Sequence, residues 1–328
     1  MNIYIGIDMA KYDFMCAVES EDKSIQFVHP KLANTTRGFD KLKQWITKIV
    51  PKQKVGSIHI GVESTGGYET PLVEWVRIHT DFLITVINPS QVKYFGKTKL
   101  IRTKTDKVDA RLIACYMATY NPEPTPVPPR GVKGLKSLTR HLEHLKSKRA
   151  SEKTYIQNVQ NSQIKTMIKQ TIRSYDRQIE KVEQHINEHF DKYPDLKSNR
   201  NLLISITSIG SVTAATMLSE LNGSLIPKQQ VAHAGLAPRE RQSGQYKGKA
   251  KLCKAGNRRI RTALYLPTLS AIQHNPIIAP FYKKLISRGK LKMVAVCACM
   301  RKLLHIIVGV LKNQIPFDPN FNDLSLAS

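Results

Sequence analysis

The sequence predicts an α/β domain with a mixed sheet, then a long helical coiled-coil arm, then a mostly helical C-terminal domain. Strand and helix patterns alternate over residues 1–120. A proline-rich run at 121–129 cannot continue a helix and is typical of a semi-rigid linker. Neither Pro nor Gly occurs over 135–193, where apolar residues repeat at helical spacing. We therefore predict domains at 1–129, 130–194 and 195–328.

The first domain is expected to contain three successive strands, then a helix–strand–helix–strand–helix order. Alternation of apolar and polar residues marks the strands, and a period near 3.6 marks the helices. The predicted strands are 3–8, 14–19, 25–29, 57–63 and 82–87, and the predicted helices are 38–50, 71–79 and 108–120. Strands in succession give antiparallel neighbours, whereas strands separated by helices give parallel ones, so the sheet should be mixed.

The arm is predicted from two apolar stripes. Leu135, Leu138, Leu142 and Leu145 keep heptad spacing, and a second stripe runs from Ile164 to Phe190. This pattern indicates two long helices that form a coiled coil for self-association. A helical hairpin within one subunit is the alternative. The last domain has helix patterns at 201–209, 212–221, 258–273, 280–287 and 291–312.

The charge points to a polyanionic partner. Lys and Arg number 51 against 25 Asp and Glu, which gives a net charge of +26. Such an excess favours nucleic acid, although a soluble basic protein without a specific partner is the alternative. Five scattered cysteines indicate reduced thiols and a cytoplasmic location. We expect no signal peptide, and no membrane span either, because charged residues interrupt the apolar stretch at 293–311.

Four acids stand out in this basic chain. Asp8 and Glu63 end two predicted strands, and Asp106 and Asp109 share one face at the start of a predicted helix. Carboxylates at such positions could form an oxygen cage for Mg²⁺, which suits phosphodiester chemistry. Taken singly, each acid could equally cap a helix or sit at a solvated strand end.

A second candidate site is the loop around Ser243. The window 239–261 holds nine Lys or Arg and one acid, and Gly244 gives backbone freedom beside the serine. Ser243 could be a nucleophile that attacks phosphorus, or an incidental serine in a basic nucleic-acid-binding loop. The predicted nucleic-acid-binding residues are Arg102, Lys104, Arg239, Arg241, Lys247, Lys249, Lys251, Lys254, Arg258, Arg259 and Arg261.

These motifs together resemble the IS110-family transposases, which include the Piv-type DNA invertases. The resemblance rests on five segments in order: Tyr4-Ile-Gly-Ile-Asp8, Gly61-Val-Glu63, Lys104-Thr-Asp106-Lys-Val-Asp109, Gln242-Ser243-Gly244 and Lys254-Ala-Gly-Asn-Arg258. It implies a RuvC-like, ribonuclease-H-type domain in which Asp8, Glu63, Asp106 and Asp109 bind Mg²⁺. It also implies that Ser243 becomes covalently linked to a cleaved DNA end.

The resemblance further implies partners. Family members act as oligomers, here a dimer or a tetramer, on donor and target double-stranded DNA, and many use a structured guide RNA. The sequence departs from the family at one turn, where Thr207-Ser208 stands in place of Pro-Gly. We expect a site-specific recombinase. The alternatives are a RuvC-type endonuclease that uses water and a non-catalytic nucleic-acid-binding regulator.

Overall fold

The computed structural model describes residues 2–22, 26–50, 56–64, 66–101, 103–221, 223, 225–239, 242–243, 246–247 and 251–320. The chain divides into two compact units, Met1–Val127 and Pro128–Ser328. Each unit has its own buried apolar clusters. The units are therefore described one at a time.

The first unit is built on a mixed sheet, as predicted. Its strands are β1 Ile3–Met9, β2 Asp13–Ser20, β3 Gln26–Ala33, β4 Ile58–Glu63 and β5 Leu83–Ile87. They lie in the order β3-β2-β1-β4-β5. β2 pairs antiparallel with β1 and with β3, whereas β1–β4 and β4–β5 are parallel. Consequently β1, β4 and β5 end at one edge of the sheet, where β2 begins.

Helices cover both faces of this sheet. They are α1 Thr36–Ile49, α2 Thr70–His79, α3 Pro89–Thr98 and α4 Asp106–Tyr120. Ile3, Ile5 and Ile7 are fully buried in the cluster that includes α1 and α2, while Tyr4 packs in the cluster with α3 and α4. Successive side chains of β1 therefore point to opposite faces of the sheet and pack in two separate apolar cores.

Helix α4 lies unusually close to the centre of the sheet. A methyl group added at Gly6 of β1 would clash with the backbone of Ala110 and Ala114 in α4. One added at Gly61, which is opposite Gly6 in β4, would lie 2.5 Å from the Met117 side chain. These two glycines form a seat for α4: the missing Cβ at Gly6 lets the helix backbone approach closely, and the missing Cβ at Gly61 leaves room for the Met117 side chain.

The second unit is mainly helical. Its helices are α5 Val132–Asn158, α6 Ser162–Lys192, α7 Pro194–Ile204, α8 Ser211–Glu220, α9 Pro227–Ala234, α10 Arg258–His274, α11 Ile278–Ser287 and α12 Lys292–Asn313. Two short strand pairs join α9 to α10: β6 Pro238–Arg239 with β9 Lys251–Leu252, and β7 Gln242–Ser243 with β8 Tyr246–Lys247.

The most apolar helix of the second unit is α12. Its length and composition would allow it to cross a membrane, but more than half of its apolar window is buried inside the unit. Leu303, Leu304 and Ile307 are fully buried in the core. This burial is typical of the central helix of a globular unit.

The α5–α6 pair packs within one chain. Lys146 Nζ lies 2.7 Å from Glu183 Oε1, and Arg149 Nη1 lies 2.7 Å from Asp176 Oδ1, so ion pairs join the two helices. Most of their buried apolar side chains belong to the same core cluster as α7–α12. This is the intrachain hairpin that the sequence left as the alternative. Self-association through a coiled coil and the domain borders at 129 and 194 stay predictions.

Three helices differ from the sequence-based expectation. The helix predicted at 201–209 is instead α7, which ends at Ile204 and begins at Pro194, a favoured residue for the first helical position. Helices α3 and α9 were not predicted. Both are short and begin with proline, and each buries only three residues, one of which is Gly96 in α3 and one Gln230 in α9, so their apolar periodicity is weak.

Candidate active site

The four predicted acids lie at the edge of the sheet where the parallel strands end. Asp8 is close to the end of β1 and Glu63 is the last residue of β4. Asp106 and Asp109 occupy the first turn of α4, where the Thr105 side chain accepts a hydrogen bond from the Val108 amide at 3.3 Å. The sheet topology and the seat of α4 therefore position all four.

Three of these carboxyl groups carry the electrostatic signature of a crowded acidic cluster. Burial, followed by the negative charges of Asp109, Asp106 and Glu63, raises the pKa of Asp8 from 3.8 to about 6. Burial and Asp109 likewise raise the pKa of Glu63, and burial and Asp106 raise that of Asp109. Lys104 acts against each of these shifts. Lys104 is thus the predicted basic residue that acts directly on the acids.

Asp106 differs from the other three acids. Its Oδ2 lies 2.8 Å from Lys31 Nζ, which also lies 3.6 Å from Asp13 Oδ1. The hydrogen bond from Lys31 lowers the pKa of Asp106. Lys31 was missed at the sequence level, because it is an ordinary strand lysine. Only the antiparallel pairing of β3 with β2, which brings the end of β3 beside the start of β2, reveals its position.

The donor chemistry at this edge fits a divalent cation. Partly buried carboxylates with raised pKa values are stabilised by a bound cation, and carboxylate oxygens are the ligands that hard divalent ions prefer. Across the described part of the chain, however, no three His, Cys, Asp or Glu side chains are grouped so that they could hold a metal ion. The four acids therefore form a cluster, and their side chains would have to move closer together to bind a metal ion.

The second predicted site belongs to the second unit. Ser243 lies in β7 opposite Tyr246, Lys247 lies in β8, and Arg239 pairs with Lys251 between β6 and β9. Arg102, Arg241 and Lys249 fall outside the described residues. The backbone therefore carries Ser243 on a short strand pair that lies between β6 and β9 in the sequence.

The predicted basic residues near α10 have different surroundings. Lys254 and Arg258 are exposed. Arg259 Nε lies 2.8 Å from Glu143 Oε2 on α5. Arg261 Nη1 donates to the Ala234 carbonyl at 2.8 Å and to the Gly256 carbonyl at 3.3 Å. Arg261 thus joins the end of α9 to the segment before α10, a structural role that its charge alone did not indicate.

The turn between α7 and α8 keeps the backbone of a glycine turn. Ser208 has φ of +87°, a conformation that side chains with a Cβ seldom adopt. Its buried Oγ finds no hydrogen-bond partner among the described residues. The Asn275 side chain supports the turn by donating to the Thr207 carbonyl at 3.3 Å. The Thr207-Ser208 sequence therefore strains the backbone at Ser208, but the turn between α7 and α8 still forms.

Comparison with known proteins finds two family models that match this chain. A family model described as Transposase, for the DEDD type of IS110, matches residues 5–163, and one described as Transposase IS116/IS110/IS902 family matches residues 200–283. The four-acid model indicates use of a divalent metal in general terms. The two matches fall on the regions that contain the acids and Ser243.

Two relatives match nearly the full length of this chain. The pilin gene-inverting proteins of Moraxella lacunata and Moraxella bovis are each 30% identical over 326 residues, which cover 98% of this chain and 99% of theirs. An uncharacterized 42 kDa protein of insertion element IS900 from Mycobacterium paratuberculosis is 25% identical over 152 residues, 45% of this chain and 37% of that protein. The chain thus belongs to the IS110 family of transposases and is a DNA recombinase or transposase.

Proposed function

We propose that this protein is a site-specific recombinase of a mobile element, which cuts and exchanges DNA strands through a covalent bond between Ser243 and a DNA end. The observation that carries the proposal is the acidic cluster, in which burial and three neighbouring carboxylates raise the pKa of Asp8. A cluster of this kind at the ends of parallel strands is typical of a catalytic site. The name of the two Moraxella relatives, pilin gene-inverting protein, describes a DNA rearrangement and supports the same class.

We further propose that the first unit is a RuvC-like, ribonuclease-H-type domain. Supporting this are the sheet order β3-β2-β1-β4-β5, the antiparallel position of β2, and a helix that carries two acids against β1. Asp8, Glu63 and Asp109 would hold Mg²⁺, joined by Asp106 once it leaves Lys31. The chemistry that Mg²⁺ supplies when bound is polarisation of a phosphodiester.

The roles of the protein's own residues follow from their chemistry. The acidic edge, which is the sheet edge that carries Asp8, Glu63, Asp106 and Asp109, positions the scissile phosphodiester. The hydroxyl of Ser243, from the same copy of the chain or from another, attacks the phosphorus. The Ser243 O–P bond forms as the bond from phosphorus to the departing deoxyribose oxygen breaks. The serine proton leaves to a base, and the released oxygen is protonated. A strand-end hydroxyl later attacks the phosphoserine and frees Ser243, so the bond energy is kept during exchange.

The partners in this proposal are two DNA duplexes, donor and target, and a structured guide RNA. The net charge of +26 supports a polyanionic partner. A groove of about 560 Å³ beside α4, whose lining includes Gln26, Lys99 and Arg111, could accept part of a nucleic-acid strand. We also propose a dimer or tetramer that acts in the cytoplasm.

The decisive experiment is a search for the covalent adduct. Purified protein is incubated with labelled duplex containing the element's end, with the element's non-coding RNA and Mg²⁺, and run on a denaturing gel. We expect an SDS-resistant DNA–protein band that disappears in Ser243→Ala and in Asp109→Asn. Ser211→Ala, at the exposed start of α8, is the matched control and should keep the band.

The same experiment separates the two other functions. Cleaved DNA with a free 5′ phosphate and no adduct would indicate a RuvC-type endonuclease that uses water, an alternative for which the acidic edge alone would suffice. Normal DNA binding without cleavage, unchanged by Asp8→Ala or Glu63→Ala, would indicate a regulator. Either result would overturn the serine mechanism.

A further inference from the structure

A buried carboxylate that the proposed mechanism does not use lies at the end of α8. The side chain of Glu220 is only 1% exposed. It accepts hydrogen bonds from Arg140 Nε at 2.7 Å and Nη2 at 3.2 Å, and from Asn257 Nδ2 at 2.8 Å. Lys136 Nζ lies 3.9 Å away. Burial acts to raise the pKa of Glu220, but the bonds from Arg140 and Asn257 outweigh it and hold the pKa below its ordinary value. Glu220 is therefore a buried ion.

Asn257 uses both ends of its side chain. Its Nδ2 donates to Glu220, while its Oδ1 accepts from the Arg259 amide at 2.9 Å and so caps α10. The Asn257 amide donates to the His233 carbonyl at 2.6 Å. His233 in turn donates from Nε2 to the Glu220 carbonyl at 3.2 Å. Glu220, α9 and the start of α10 are thus held in one hydrogen-bonded unit.

This unit is the base from which the chain extends to Ser243. Going back from Asn257, the Lys254 amide donates to the Gly235 carbonyl at 3.2 Å and the Cys253 amide to the Ala237 carbonyl at 3.0 Å. The β6–β9 pairing follows immediately. Gly256, with φ of +143°, fits so tightly against His233 that an added methyl group would clash with its carbonyl. We call the hydrogen-bonded network of Glu220, His233 and Asn257 the anchor. Strands β6 and β9, which flank the Ser243 strand pair in the sequence, start at this anchor.

Stability is a weak explanation for this ionic cluster. Removing two charges from water costs about as much as their attraction returns, and well-packed apolar replacements of buried ion pairs are often neutral or stabilising. What a directional, multiply bonded carboxylate does supply is a fixed relative position of its partners. Here the partners are α5, through Arg140, and the start of α10, through Asn257.

We propose that Glu220 is a positioning residue for Ser243: through Asn257 it fixes the base of the strand pairs that carry the serine, relative to α5. The proposal rests on the proposed role of Ser243 as the nucleophile. Misplacement of a reacting group by about 1 Å can cost about a hundredfold in rate. Loss of the anchor should therefore lower the rate of bond formation at saturating DNA rather than the affinity for DNA.

The test cuts the link at Asn257 while sparing the fold. Asn257→Ser keeps a residue that caps helices well but loses the donor to Glu220. With the DNA, RNA and Mg²⁺ mixture used for the adduct, we expect the adduct to form between about tenfold and a hundredfold more slowly at saturating DNA. The DNA dissociation constant should be unchanged. Glu143→Gln, which removes the exposed pair with Arg259, is the control and should keep the wild-type rate.

A second variant separates positioning from packing. In the double variant Glu220→Leu with Arg140→Met, apolar side chains replace the ion pair, so the unfolding midpoint should stay close to that of the wild type, while the adduct rate still falls. A wild-type rate in both this variant and Asn257→Ser would overturn the positioning role. An adduct that persists in Ser243→Ala would instead overturn the nucleophile, and the positioning role with it.

Discussion

At the scale of single residues, Asp8 shows how the acidic edge stores unfavourable energy. The carboxyl is partly buried and surrounded by others of the same sign, which raises its pKa to about 6. A folded-state pKa above the ordinary 3.8 means that the folded protein binds the proton more tightly than the unfolded chain does. Without a cation, Asp8 therefore destabilises the fold fully above about pH 6, and this cost shrinks as the pH falls from about 6 to 3.8, below which it is absent.

Asp8→Asn removes that charge and should stabilise the metal-free protein at pH 8. We expect a gain of about 1 kcal/mol in the free energy of unfolding, since solvent screening reduces the effect of a group that is not fully buried. Urea unfolding in EDTA at pH 8 and at pH 3.5 measures it, and the gain should vanish at the lower pH. Asp40→Asn, on an exposed position of α1, is the control. An equal gain at both pH values would contradict the electrostatic cause.

At the scale of elements, α4 is the helix on which the site depends. It carries Asp106 and Asp109 and lies in the seat formed by Gly6 and Gly61. The contact at Gly6 is with helix backbone rather than with a movable side chain. Any side chain at this position must therefore move the whole helix and the two acids on it.

Gly6→Ala should accordingly destabilise the first unit and impair cleavage. Overpacking of this kind costs about 1–3 kcal/mol. The two readouts are the urea unfolding midpoint and the amount of covalent adduct. Gly289→Ala tests backbone freedom alone, because its φ is +73° and an added methyl group meets no atom within 4 Å. The Gly289→Ala variant should lose a little stability and still form the adduct. A normal amount of adduct in Gly6→Ala would contradict the prediction, because it would show that α4 tolerates the shift.

The sequence predicted elements well where one face is regularly buried. All five strands of the first sheet were predicted, because runs such as Ile3, Ile5 and Ile7 alternate strictly. Helix α3 was missed because its buried residues are only Val92, Phe95 and Gly96, although its capping box of Asn88 and Gln91 was present in the sequence. The predicted position of α7 was too late in the sequence because the apolar residues Ile206 and Ile209 are buried in the turn that follows the helix.

The site was predictable only where motifs mark it. Asp8, Glu63, Asp106 and Asp109 stand at element ends, and the structure brings them to one edge of the sheet. Lys31 and Glu220 carry no local signal. Lys31 meets Asp106, which is 75 positions further along the chain, and Glu220 meets Arg140 across 80 positions. Such contacts arise from the packing of elements, which spacing in the sequence does not encode.

At the scale of the whole molecule, the dominant property is positive charge. A net charge of +26 implies that binding of nucleic acid is driven largely by contacts with phosphates. Part of this charge is used internally: Arg140 and Arg149 pair with acids, and Arg261 bonds to backbone carbonyls. The exposed remainder is available for contacts with the phosphates of DNA.

The affinity for duplex DNA should therefore fall steeply with salt. With six to ten phosphate contacts, the loss between about 50 and 200 mM salt is about a thousandfold or more. Fluorescence anisotropy with a labelled duplex measures the slope of log affinity against log salt. Ser243→Ala should give the same slope, because it changes no charge. A flat dependence would contradict a footprint made mainly of phosphate contacts.

The seat under α4 also limits how this protein can be redesigned. Main chain, not side chain, sets the gap between β1 and α4, so no series of graded substitutions can tune it. A different spacing between Asp8 and Asp109 would require a new backbone path for the segment that leads into Thr105, where α4 begins. Redesign of the DNA specificity of this protein should therefore change other parts of the chain and keep the contact between β1 and α4 as it is.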